Sequence, residues 1–250
     1  MQDSATLALL IEPRSTVPDP LEVAMTIELW LATPDAASRF DAATLSPADA
    51  QRWSRVVNRT RRTEWQASRA LLAHLGGRDA AATSLSHAFG HAAVAMAPPE
   101  LAIGIDIEAL RPRAVVELAA FAFSEREHAQ LLASPPEGRL ELFYLLWTLK
   151  EAAAKVLGLE LFVALRQCIF YRTDGRWQGE LPSDRPWTAW AFAPRANLLL
   201  AAVAVANVRA EMLPVTPIAR EWPAARSEEW RPLLRVTGNS GRSAPAPEDQ

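Results

Sequence analysis

The chain has one cysteine among 250 residues, two tyrosines, four histidines and no surplus of positive charge. A single thiol, Cys168, excludes an internal disulfide and a cysteine-built zinc cluster, and it fits a reducing compartment. The histidines do not replace it: His87 and His91 are near neighbours, but no further histidine or cysteine joins them, so no zinc site is expected. A net charge of −3 and a pI near 5.9 argue against a general nucleic-acid binder, whose phosphate contacts require a basic surface. The longest apolar run, Leu198 to Ala206, is far too short for a bilayer span. The amino terminus carries Asp3 and no basic stretch ahead of its short apolar run, which makes a poor signal peptide. The expectation is a soluble, cytoplasmic monomer with no nucleic-acid or membrane partner.

What is present is ordinary in bulk. Half of the residues are hydrophobic and 22% are charged, enough to bury one large core or two small ones. Residues 1–24 are punctuated by Pro13, Pro18 and Pro20 and read as a loose extension. A first strand is expected at Thr26–Leu31, then a helix capped by Ser46 with Pro47 in its first turn, running to about Val57. A second helix is expected over Thr60–Leu75, and a hairpin from Thr83–His87 and His91–Ala97 turning at Gly90. Pro98-Pro99 divides a unit at 25–99 from a second at 100–212. The second unit reads as a central strand, helices at Ala114–Phe121, Ser124–Leu132 and onward to Leu157, then strands at Arg166–Tyr171, around Trp177, at Trp187–Ala193 and at Asn197–Val208. Ser124 and Glu127 have capping-box spacing, which gives Glu127 a structural task. Residues 213–250 read as a Pro-rich tail, with Trp222, Trp230 and Leu233-Leu234 as points that dock on the body.

The chemistry gathers in two stretches. Leu101-Ala-Ile-Gly-Ile-Asp-Ile-Glu108 reads as a buried strand with Ile103, Ile105 and Ile107 on one face and both carboxylates, Asp106 and Glu108, on the other. Two acids side by side on an apolar strand repel and resist desolvation unless a cation lies between them, and a hard divalent ion such as Mg²⁺ suits oxygen ligands. Trp147 to Gly158 is a strong helix that sets Glu151 and Lys155 four apart on one face. Glu151 is the candidate third carboxylate and Lys155 a candidate phosphate contact; an ordinary solvated Glu–Lys pair is the plain alternative.

The order and spacing of GIDIE and, about forty residues on, WTLKEAAAK resemble the 4′-phosphopantetheinyl transferase superfamily, in its larger, surfactin-synthetase-activating (Sfp-like) type. Ser86-His87 before the strand and Phe121-Ala-Phe-Ser-Glu125 after it extend the likeness over roughly residues 25 to 210. The resemblance implies an α+β fold of two similar subdomains related by a pseudo-twofold. It implies transfer of the phosphopantetheine arm of coenzyme A onto a serine of an apo acyl or peptidyl carrier protein, releasing 3′,5′-ADP. It places Mg²⁺ on Asp106, Glu108 and Glu151, Lys155 on the coenzyme A diphosphate, and Ser86 and His87 on its phosphates. Arg52 matches a basic position for the 3′-phosphate. Arg69, on the apolar side of its helix, is either a phosphate ligand or a salt bridge to a carboxylate of its own domain. The serine proton goes either to Glu151 or to a water on the metal.

One departure is visible. Many relatives carry a Lys-Pro motif shortly before the Ser-His, whereas here only Arg78 is basic between Gly77 and Ser86. That shortened segment gives weight to one alternative to the active enzyme, an impaired relative that binds carrier proteins; a scaffold whose acids merely pair with arginines is a separate one.

Overall fold

The computed structural model describes residues 25–76, 82–207, 214–223 and 229–238. The first unit holds β1 (Met25–Ala32), α1 (Pro47–Trp53), α2 (Arg59–Leu75), β2 (Ala82–Ala88) and β3 (His91–Ala97). The second opens with β4 (Leu101–Ala109), α3 (Val115–Ala122), α4 (Glu125–Ala133) and α5 (Pro136–Leu157). It continues through α6 (Leu161–Gln167), β5 (Ile169–Thr173), β6 (Arg176–Glu180), β7 (Trp187–Arg195) and β8 (Leu198–Ala206). Two further strands follow, β9 (Val215–Trp222) and β10 (Arg231–Gly238).

Local signals set the element ends. Ser46 Oγ accepts from the Asp49 amide at 3.1 Å to start α1, and Asn58 accepts from the Arg61 amide to start α2. Ser124 and Glu127 close a full capping box on α4. Gly158 ends α5 in the left-handed region at φ 65°. The β2–β3 hairpin turns through Phe89 and Gly90, both at positive φ, as a two-residue hairpin with right-handed strand twist demands.

The fold class is α+β, and one topology occurs twice. In the first unit β1 pairs antiparallel with β3 and β3 with β2, with α2 between β1 and the hairpin in sequence. In the second, β4 pairs antiparallel with β8 and β8 with β7, with α5 between. Each three-stranded core gains one edge strand, giving sheets of order β2-β3-β1-β9 and β10-β7-β8-β4. Ile27, Leu29 and Leu31 share one apolar cluster with Ile103, Ile105, Ile107, Leu200 and Ala202, so the sheets pack face to face. Trp30, Ala32 and Val94 point the other way, onto Leu71 and Leu75 of α2. Leu199, Ala201 and Val203 bury against Leu145, Leu149 and Ala152 of α5.

Three expectations are corrected. The tail expected at 213–250 instead supplies β9, parallel to β1, and β10, antiparallel to β7. Pro217 and Pro232 are tolerated there because both strands lie at sheet edges, and a register shift follows Pro232. The strand expected from Arg166 begins only at Ile169, because Ala164 and Leu165 bury in a short helix, α6, packed on α5. α1 stops at Trp53 rather than Val57. The extension 1–24 and the last dozen residues lie outside the described residues.

Candidate functional site

The site is built where the edge strands of the two sheets meet under α5. Along β4, Gly104, Asp106 and Glu108 alternate with the isoleucines of the inter-sheet core. Gly104 sets the depth of the helix. A Cβ there would lie 2.1 Å from the Ala152 carbonyl oxygen and 2.9 Å from the Val156 nitrogen, so α5 rests directly on the strand backbone. That contact brings Glu151 down to the acids of β4. Asp106, Glu108 and Glu151 each offer a carboxylate oxygen within 4.8 Å of the other two. Gly104→Ala is therefore expected to lift α5, lowering stability by about 1–3 kcal/mol as overpacking does. Thermal melting and a Mg²⁺ titration check this; a variant with unchanged melting and metal affinity would show that the close approach is not needed.

Asp106 is buried, and its two oxygens have different fates. Oδ1 accepts from Ser86 Oγ at 2.7 Å and from Lys155 Nζ at 2.9 Å. Oδ2 is buried with no hydrogen-bond partner among the described residues. Burial raises the Asp106 pKa despite the opposing Lys155 charge. Burial, and then the neighbouring Asp106 charge, push Glu108 and Glu151 each up to about 7. Arg113 and Arg111 pull Glu108 the other way without prevailing. Three oxygen donors that resist ionisation together, one oxygen left without a donor, fit a hard divalent cation.

Lys155 departs from the simple helix pair. Its ammonium donates to the Ile105 carbonyl at 2.9 Å, to Asp106, and more distantly to the Leu85 carbonyl at 3.5 Å. It thus spans both sheets instead of bonding Glu151.

Ser86 and His87 diverge, as neighbours on a strand must. His87 Nδ1 lies 3.5 Å from Glu64 of α2, on the wall of a groove of about 630 Å³ lined also by Arg55, Asn58, Arg61 and Trp65. The two arginines singled out in the sequence do not line it. Arg69 pairs with Asp49 at 2.9 Å and lies over the Trp65 ring, so the salt-bridge alternative describes it. Arg52, 71% exposed, stands 3.5 Å from the same carboxylate. Helical spacing shows which way Arg69 points, but only the packing of α1 supplies its partner. Arg55 and Arg61 line the groove instead; in the sequence Arg61, at the start of its helix with Arg59 and Arg62, reads as part of a solvated face.

Lys150, also missed, is fully buried beside Glu127 at 2.8 Å. Its remaining protons go to the carbonyls of Leu165 and Cys168. Glu127 further accepts from the backbone and hydroxyl of Ser124 and from the Phe170 amide. Every polar atom of the pair is engaged in joining α4, α5, α6 and β5. A lysine between Leu149 and the buried Ala152-Ala153 was the available signal.

Residues 102–203 match the family model of the 4′-phosphopantetheinyl transferase superfamily. Over 116 residues the chain is 38% identical to the 4′-phosphopantetheinyl transferase AcpT of Escherichia coli K12, covering 39% of this chain and 59% of that one. Over 83 residues it is 37% identical to the 4′-phosphopantetheinyl transferase Sfp of Bacillus subtilis 168, covering 33% of this chain and 37% of that one. The chain thus spans less than two thirds of these relatives. The crystal structure of Thermotoga maritima holo-[acyl-carrier-protein] synthase superposes with a TM-score of 0.33 at 18% identity, over 42% of this chain and 63% of that one. The segment that matches the superfamily model holds Asp106, Glu108, Glu151 and Lys155.

Proposed function

We propose that the protein transfers the 4′-phosphopantetheine group of coenzyme A to a serine of an apo acyl or peptidyl carrier protein, in a Mg²⁺-dependent reaction. The observation that carries this reading is the convergence of three carboxylates and an unpartnered Asp106 oxygen beside Lys155, inside the segment that matches the superfamily. Asp106, Glu108 and Glu151 would hold the ion, which when bound neutralises diphosphate charge.

The chain's own residues do the rest. Glu151, one of the three converging carboxylates, is one candidate base for the serine hydroxyl proton, and water at the site is the other. The serine oxygen then bonds the phosphorus that carries the pantetheine arm, and the bond from that phosphorus to the 3′,5′-ADP oxygen breaks. Lys155, 2.9 Å from Asp106 Oδ1, would offset the negative charge that grows on the departing nucleotide. The groove of Arg55, Arg61 and His87, with Glu64 beside them, would receive the outer phosphates, a task for which the resemblance offers Arg52 and, as one of two alternatives, Arg69. A lone buried thiol, Cys168, suits a reducing cytoplasm as the place of action.

The test is incubation of the protein with coenzyme A, Mg²⁺ and a panel of apo carriers from fatty-acid, polyketide and peptide systems, read by intact mass. One phosphopantetheine per carrier serine is expected, and a chelator should abolish it. No mass gain on any carrier, with carrier binding retained, would favour the impaired binding module instead.

A further inference from the structure

The edge strands β2 and β4 belong to different sheets, and no ladder joins them. In an antiparallel pair, every second residue turns its amide and carbonyl away from the partner strand. Ile105 is such a residue: it pairs with Ala202 of β8 and aims both groups at the seam with β2. Side chains take them. Ser84 Oγ, from β2, accepts from the Ile105 amide at 3.1 Å, and Lys155 Nζ donates to the Ile105 carbonyl at 2.9 Å. Two more bonds cross the seam, from Ser86 Oγ to Asp106 Oδ1 at 2.7 Å and from Lys155 Nζ to the Leu85 carbonyl at 3.5 Å.

We propose that Ser84 is a positioning residue, the strut that keeps the two halves at a fixed spacing while the site is loaded; the inference rests on the coenzyme reading above. The other two crossings depend on Ser86, Asp106 and Lys155, all of which that reading also engages with the coenzyme or the cation. The Ser84 bond uses none of them. It joins a strand hydroxyl to a backbone amide, and neither has a task toward the ligand. Ile105 is fully buried, so without the hydroxyl its amide is left unpaired rather than hydrated. The spacing matters because one ligand spans it. The groove of Arg55, Arg61 and His87 belongs to the first half and the three carboxylates to the second. A coenzyme A that reaches both gains fully from the second contact only when the halves are already set to its length.

Ser84→Val and Ser84→Thr differ by the hydroxyl alone. Ser84→Val is expected to weaken coenzyme A binding roughly tenfold at saturating Mg²⁺, the scale of one hydrogen bond left unmade. Mg²⁺ alone, held within the second half, should bind within about twofold of the wild type. Ser84→Thr should match the wild type for both ligands. Calorimetric titration of the full chain, first with Mg²⁺ and then with coenzyme A, reads this split. A residue that serves only folding would not produce it, because its loss weakens both ligands together or neither. Wild-type coenzyme A affinity in Ser84→Val, or equal loss of both ligands, would overturn the proposal. Hydrogen exchange on the wild type decides the matter even where Ser84→Val fails to fold. The Ile105 amide should be protected in the free protein and stay protected with Mg²⁺ and coenzyme A bound; release of that amide on loading would overturn the strut. A wild type that binds neither ligand overturns the coenzyme reading instead, and this proposal with it.

Discussion

Glu108→Gln is expected to slow phosphopantetheine transfer roughly a hundredfold or more, the scale for losing one preorganised charge in a phosphoryl-transfer site. The same change should make the cation-free protein more stable above neutral pH. Both effects come from crowding. Burial first, and then the Asp106 charge, push the Glu108 carboxyl up to about 7. An acid whose pKa is higher in the folded chain takes up a proton on folding. Its contribution is therefore full below the unfolded value of about 4.5 and is lost as pH rises through about 7. The cation-free protein should weaken across that window and remain weak at pH 8, with Glu151 adding to the same trend. Glutamine keeps the shape and removes the charge, so the variant should gain on the order of 1–2 kcal/mol at pH 8, less than the full shift implies because water reaches the site. Added Mg²⁺ should stabilise the wild type and leave the variant nearly unmoved. Melting curves in chelator and in Mg²⁺, from pH 5 to pH 8, read all of this. Normal turnover in the variant, or lower stability than the wild type at pH 8 in chelator, would remove Glu108 from the site.

Lys150→Met is expected to have the largest effect on folding, about 3–5 kcal/mol, the cost of leaving one member of a buried ion pair without the other. Glu127 would remain fully buried, its charge answered only by Ser124 and the Phe170 amide. Burial lowers the Lys150 pKa, with Glu127 opposing, so the pair stands or falls together. Adding Glu127→Gln to Lys150→Met should recover much of the loss, because a neutral pair no longer carries an unanswered buried charge. Urea denaturation of the two single variants and the double variant measures the coupling. If Lys150→Met were as stable as the wild type yet inactive, Lys150 would be a group that touches substrate, and the structural account of the pair would fail.

Lys155 invites the contrary expectation. It is part-exposed and hydrogen-bonded to carbonyls as well as to Asp106, so its loss bears on the charge at the site more than on folding. The two lysines of one helix motif, five residues apart, therefore differ in kind. Lys150 sits among apolar positions with every proton assigned, and Lys155 sits at the mouth of the acids.

The sequence alone determined what depends on backbone period and on short-range hydrogen bonds. Alternation on a strand placed Asp106 and Glu108 on one face, and helical spacing placed Glu151 and Lys155 on another. The Ser46 cap, the Ser124–Glu127 box and the Gly90 and Gly158 positions were legible for the same reason: each closes within four residues. The tertiary structure decided which of these faces meet. Nothing local tells Arg69 that Asp49 lies opposite, Lys155 that Asp106 and Leu85 lie nearer than Glu151, or Ser86 that its proton goes to β4. Gly104 reads as a weak spot in a strand until the Ala152 carbonyl is found where its Cβ would be. The proline-punctuated stretch after residue 213 reads as a tail until two sheet edges are found open to receive it. Spacing fixes direction because bond geometry repeats; partners are chosen by the packing of distant segments, whose contacts no period of the chain encodes.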